Sequence, residues 1–214
     1  MDDRELNRWF ARVQQELEPS YLAAAEPWQQ SGFSGPFERW VACRRTIADC
    51  MTAPGAVLDI GCANGYLLQC VLQWTAEKGI QIDPWGLDLS GKLVPLARSR
   101  LREHAAKLFV GNALTWRPPR TFDYVRTELC YVPEEYHGPY VSRLLDEYLC
   151  PGGKLLVAEY RSRRQSSAGP WVDDKLRDLG FAVESCVSGL WQGQELTRVA
   201  IVRYSDNRLL GDGQ

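Results

Sequence analysis

Short apolar runs alternate with stretches of helical periodicity along most of this chain. Ala56, Val57, Leu58 and Ile60, bounded by Pro54-Gly55 and by Gly61, have the length and flanks of a strand buried on both faces. Similar runs follow at 84–90, 107–113, 122–129 and 154–160, and alternating ones at 181–187 and 197–204. Helical spacing places Leu6, Trp9, Phe10, Val13 and Leu17 on one stripe, and Phe37, Trp40, Val41, Ile47, Ala48 and Met51 on another. A further helix is predicted over 139–149, carrying Tyr140, Leu144, Leu145 and Tyr148. Another over 171–179 starts after Pro170 and stops at Gly180. Three segments result: an N-terminal helical cap or lid (1–54), an alternating strand–helix core (55–205) and a flexible tail (206–214).

The cap contains one irregular stretch, Glu26 to Pro36, rich in glycine and aromatic residues. Such a segment either seals the core or folds over a ligand. As a lid, Trp28 and Phe33 would exclude water while Arg39 or Arg44 met a carboxylate.

The densest chemistry lies where the first core strand becomes a helix, at Asp59-Ile60-Gly61-Cys62-Ala63-Asn64-Gly65. Small residues at 61, 63 and 65 let the backbone turn sharply and approach a ligand, with the Cys62 main chain lining the turn. The following helix points its free N–H groups at that space. The Gly-x-Gly-x-x-Gly spacing of a dinucleotide site is missing, and the Asp59 carboxylate would repel a pyrophosphate while suiting a cationic amino-acid end. The second strand ends on Asp88-Leu89, and its carboxylate has the acceptor geometry for two ribose hydroxyls. The third ends on Asn112-Ala113, and the fourth runs into Glu128.

In this order the elements resemble the class I S-adenosylmethionine-dependent methyltransferases, with Ala63 in place of the middle glycine of their Asp/Glu-x-Gly-x-Gly-x-Gly signature. The resemblance spans about 56–204. It implies an α/β, Rossmann-like doubly wound sheet of seven strands, mostly parallel, closed by a C-terminal antiparallel hairpin. It also implies S-adenosyl-L-methionine as cofactor, held by Asp59, Gly61, Cys62, Ala63, Asn64, Gly65, Asp88, Leu89, Asn112, Ala113 and Glu128. An Asp commonly stands at the position of Asn112 in that family and accepts from the adenine amino group. The Asn112 amide oxygen is a neutral, weaker substitute.

Composition narrows the function. The chain has 214 residues, enough for one sizeable core, with a net charge of -2 from 25 basic and 27 acidic side chains. No basic field is laid out for nucleic acid. Seven cysteines without a Cys-x-x-Cys pair and two histidines argue against a metal site and fit buried thiols in a reducing compartment. No apolar run is long enough for a membrane span, and the N-terminus lacks a signal pattern, which predicts a cytoplasmic protein.

Transfer from a sulfonium requires mainly alignment and exclusion of water, with a base where the acceptor is a hydroxyl. His137 and Tyr131, just beyond the fourth strand, are the candidate catalytic groups. Arg161, with Arg163 and Arg164, is the candidate holder of an anionic acceptor. The leading expectation is methylation of O or N on a small molecule. The alternatives are a protein or RNA target, or a non-catalytic cofactor-binding module, since Ala63 and Asn112 depart from the family pattern. Oligomeric state has no signal here.

Overall fold

The computed structural model describes residues 2–163 and 169–203. Seven strands form one sheet: β1 (Gly55–Ile60), β2 (Ile82–Asp88), β3 (Leu108–Val110), β4 (Phe122–Thr127), β5 (Leu149–Tyr160), β6 (Val183–Trp191) and β7 (Gln194–Arg203). Their order is β3-β2-β1-β4-β5-β7-β6. β1 to β5 pair in parallel, whereas β7 lies antiparallel between β5 and β6. The Rossmann-like, doubly wound sheet with its antiparallel C-terminal hairpin is therefore present.

Strand periodicity divides the core between two faces. Leu58, Val125, Leu155, Val157, Ala200 and Val202 meet one layer. That layer includes Phe10 of α1 (Asp3–Ala23), Tyr140 of α5 (His137–Arg143) and Leu176 of α6 (Val172–Asp178). Their strand neighbours Val57, Tyr124, Leu156, Val199 and Ile201 meet α2 (Phe37–Asp49) and α3 (Tyr66–Ala76) on the other face, where Trp40 and Trp74 pack. Helix α1 begins with a capping box: Glu5 N–H donates to Asp2 Oδ1 at 2.8 Å and Asp2 N–H to Glu5 Oε2 at 3.0 Å. It runs on through Pro19, beyond the 6–17 stripe.

Several boundaries differ from the sequence expectation for local reasons. β6 and β7 continue to a two-residue turn at Gln192-Gly193, both at positive φ (51° and 76°), so the two strands run toward each other beyond the 181–187 and 197–204 stretches. β5 starts at Leu149 rather than Lys154, absorbing Pro151-Gly152-Gly153 where the register with β4 shifts. The third strand is only three residues long. The 139–149 helix starts two residues early and finishes as a π-helical stretch over Leu144–Tyr148. Helix α4 (Leu93–Arg100) carried no stripe strong enough to be recognised. The 206–214 tail lies outside the described residues. Among those described, no helix is long and apolar enough to cross a membrane.

The strand order reverses between β1 and β4. Open sheets of this kind bind ligands in the crevice at that switch point, beyond the C-terminal strand ends.

Candidate functional site

The turn after β1 forms the floor of that crevice. Gly61 and Cys62 N–H both donate to Leu87 O, at 2.7 and 3.2 Å, which fastens the turn to β2. Gly61 has φ 78° and Gly65, the N-cap of α3, has φ 75°. Ala63 also adopts a positive φ, 46°, which costs an alanine what a glycine avoids. Its N–H donates to Asp88 Oδ2 at 2.7 Å, and Ser90 N–H donates to Asp88 Oδ1 at 2.8 Å. Each Asp88 oxygen keeps further acceptor capacity. Burial raises this carboxyl above its ordinary value, opposed by the two N–H groups.

A cavity of about 400 Å³ opens above the turn. Gly61, Cys62, Ala63 and Asn64 line its floor, Asp88 and Leu89 one wall, and Asn112 and Ala113 the far end. Glu128 and Tyr131 border it beyond β4. Helix α1 roofs it with Trp9, Phe10, Val13, Leu17 and Tyr21. The Cys62 thiol itself is buried, with its Sγ 2.8 Å from where a Gly86 Cβ would stand. Asn112 Oδ1 accepts from Leu114 N–H at 2.9 Å, and its free lone pair remains available for an outside donor.

Beside the floor lies a buried charge cluster, of which Arg126, Glu128, Tyr131 and Tyr160 border the cavity and Asp59 does not. The Arg126 side chain, 3% exposed, donates from Nη1 to Asp59 Oδ1 at 3.2 Å, to Ile60 O at 3.3 Å and to Tyr131 Oη at 3.0 Å. Its Nη2 pairs with Glu128 Oε1 and reaches Tyr160 Oη at 3.4 Å. Tyr131 Oη–H also donates to Glu128 Oε1, at 2.7 Å. Asp59 and Arg126 are register partners on adjacent parallel strands, which brings the two side chains together. Burial pushes the Asp59 carboxyl up to about 6, against the pull of Arg126.

Four sequence candidates do not border the cavity. Asp59 lies under the turn and faces Arg126, not the open space. Gly65 is behind the turn, packed against Ala97 and Leu101 of the α4 region. His137 starts α5, off the cavity, its imidazole held below its ordinary value by burial. Arg161 pairs with Glu159 at 2.6 Å, donates to Pro170 O at 2.6 Å and stacks 3.7 Å from the Trp171 ring centroid. Its guanidinium therefore braces the β5 end against the start of α6. Arg164 is outside the described residues. Tyr131 does border the cavity; burial raises its phenol well above the ordinary value, and its hydroxyl donates to Glu128.

The structure adds residues that sequence reasoning passed over. Glu18 accepts from Ser90 Oγ and pairs with Lys92 at 2.9 Å, tying α1 to the loop after Asp88. Tyr21 fits against Gly32, whose Cβ would stand 2.7 Å from the phenol oxygen. Arg44, by contrast, is one of the two arginines the sequence offered for a carboxylate; it borders the cavity with its guanidinium 3.3 Å from the Tyr160 ring centroid, and no acidic side chain pairs with it among the described residues. A lone arginine inside an apolar strand was the available signal for Arg126. Glu18 and Tyr21 had none, being far away in sequence.

This set of groups suits a nucleoside with a cationic amino-acid tail. The Asp88 carboxylate can accept from hydroxyls, apolar Leu89, Leu93 and Ala113 line the same space and could flank a flat ring, and Glu128 offers negative charge where a pyrophosphate site would need donors. Among the described residues no cluster of His, Cys, Asp and Glu could hold a metal ion.

A family model described as a methyltransferase domain matches residues 57–153. No curated protein matches in sequence. The fold is similar to the N-methyltransferase NodS of Bradyrhizobium japonicum WM9 in complex with S-adenosyl-L-homocysteine. That likeness has TM-score 0.64 and 18% identity, over 88% of this chain and 96% of that one. It is also similar to magnesium protoporphyrin IX methyltransferase (ChlM) of Synechocystis PCC 6803 with bound S-adenosylmethionine. Here the TM-score is 0.61 and the identity 17%, over 92% of this chain and 97% of that one. A chain from the complex of the Haloferax volcanii Trm112 methyltransferase activator with a candidate methyltransferase aligns at TM-score 0.64 and 16% identity, over 88% and 97% of the two chains. Residues 57–153 thus match a methyltransferase domain, and the whole seven-stranded sheet, with its strand order and crossover turn, is similar in fold to these S-adenosylmethionine- and S-adenosylhomocysteine-bound enzymes.

Proposed function

We propose that this enzyme methylates an oxygen or nitrogen atom of a small molecule. The observation that carries the reading is the roof. Helix α1 lays apolar side chains over the cavity, and an acceptor must fit beneath it. That suits a compact substrate better than a nucleic-acid strand, for which a chain of net charge -2 also lacks a positive face.

Within this reading residues 1–54 act as cap and 55–205 as core. Asp88 receives the ribose hydroxyls and Asn112 the adenine edge. Arg44, a guanidinium without an acidic partner among the described residues, receives the carboxylate of the amino-acid tail. S-adenosylmethionine supplies an already activated methyl group, so the protein's part is alignment and exclusion of water. His137 and Arg161 have no part in this arrangement, because neither borders the cavity.

The test is incubation with methyl-labelled S-adenosylmethionine and a cell extract separated by molecular mass. Label in the low-mass organic fraction is the expected outcome. Label confined to protein or RNA moves the acceptor to a macromolecule.

A further inference from the structure

The acid inside the crossover signature does not face the ligand space here. Asp59 is 4% exposed at its side chain, Arg126 takes its Oδ1, and its Oδ2 is buried with no partner among the described residues. An opposite charge one strand away thus occupies the carboxylate that would otherwise meet a cationic ligand group. Glu128 stands differently. Its Oε1 is held by Arg126 and by the Tyr131 hydroxyl, while Oε2 accepts from the Cys130 thiol at 3.5 Å. It borders the cavity with its side chain 17% exposed.

We propose that Arg126 is a positioning residue that moves the cofactor-facing negative charge from Asp59 to Glu128. One guanidinium between two carboxylates leaves a net negative charge of one, and of the two carboxylates only Glu128 borders the cavity, beside Arg126 itself. The planar fork of Arg126 matters as well as its charge. Nη1 is directed at Asp59 and Tyr131 and Nη2 at Glu128, an arrangement that a single ammonium cannot reproduce. Tyr131 completes the hold, because its ring stands where Gly61 lacks a side chain, 2.4 Å from the position of the missing Cβ. The floor, the fork and the carboxylate therefore form one rigid unit. The inference rests on the cofactor assignment and is independent of the acceptor.

Binding of three ligands separates the roles. S-adenosylmethionine and S-adenosylhomocysteine carry the ammonium, only the former carries the sulfonium, and methylthioadenosine carries neither. In calorimetry near neutral pH, Glu128→Gln is expected to weaken the first two about tenfold or more while leaving methylthioadenosine within about twofold. Arg126→Lys should show the same pattern, because it keeps the charge and loses the fork. Asp59→Asn should cost less than Glu128→Gln. A larger loss for Asp59→Asn would make Asp59 the direct partner and overturn the proposal. So would an equal loss of all three ligands in Arg126→Lys, which is what a purely structural arginine predicts. Failure of the unaltered protein to bind any of the three would remove the cofactor assignment itself, a result distinct from either.

Discussion

Asn64 of the crossover turn is joined to Gln30 of the cap: its amide nitrogen donates to Gln30 Oε1 at 2.7 Å and to Pro27 O at 3.0 Å. The Asn64 oxygen meanwhile accepts from Tyr66 N–H at 3.1 Å, at the start of α3. A buried side chain, 1% exposed, thereby ties the turn that floors the cavity to the segment beside its mouth. Any ligand that shifts or stiffens the turn is coupled to residues 27–33 through these bonds.

If that segment closes over the cofactor, S-adenosylhomocysteine should slow amide exchange from about Gln29 to Gly35 and change Trp28 fluorescence. Asn64→Ala should cancel much of the difference by cutting the connection. Equal protection with and without the ligand would assign the segment to a fixed seal, in keeping with the packing of Trp28 and Phe33 on the Trp40 cluster.

Asp88 has both a folding and a binding role, so its replacement needs care. Asp88→Ala would also strip the Ala63 and Ser90 N–H groups of their acceptor. Asp88→Asn keeps one oxygen and removes the charge. It should weaken S-adenosylhomocysteine binding by about 1.5–3 kcal/mol, the range for hydrogen bonds to a charged group, with a smaller effect on thermal unfolding. Unchanged affinity in Asp88→Asn would take the ribose away from this carboxylate.

Gly61→Ala combines two costs: a side chain at φ 78° and a collision with the Tyr131 ring. A loss of roughly 1–3 kcal/mol in stability is expected from the backbone conformation alone, read by urea unfolding. In a Tyr131→Ala background, where the ring is cleared, Gly61→Ala should cost less than it does in the wild type. An equal cost in both backgrounds would confine the effect to the backbone.

Asp59 makes a pH prediction whose sign is decided by burial. Its folded carboxyl is raised to about 6 from an ordinary 3.8, so the folded state binds the proton more readily than the unfolded chain. The groups facing it are Arg126, Glu128 and Tyr131 from β4 and the turn after it, Asp88 from β2, and Cys62 from the crossover turn. The contribution of Asp59 to stability should fall as pH rises from about 4 to 6 and stay level above about 7. Urea unfolding of the wild type and Asp59→Asn, compared at each pH, isolates that contribution. A difference that grew with pH across this window would mean that the Arg126 pairing outweighs burial.

The sequence by itself determined the elements whose cause is local. The Ala56–Ile60 run, the small residues of the turn and the acid ending β2 are short-range signals. Once adjacent parallel strands are assumed, they place Asp88 beside Ala63 without further information. The strand-and-helix alternation similarly carried the doubly wound class. Limits of elements were less legible where backbone conformation decided them, as at Gln192-Gly193 and the Pro151–Gly153 irregularity. Only the tertiary structure decided which charges meet. Asp59 read as a ligand-facing acid until β1 and β4 were set side by side with Arg126 as its register partner. Glu18 and Tyr21 became part of the site because α1 folds back over the strand ends, with Phe10 and Glu18 as its buried residues. His137 and Arg161 left it because a position near a strand end does not fix the direction of a side chain. Pairing across strands separated by tens of residues depends on register and packing, and one chain's spacing pattern contains neither.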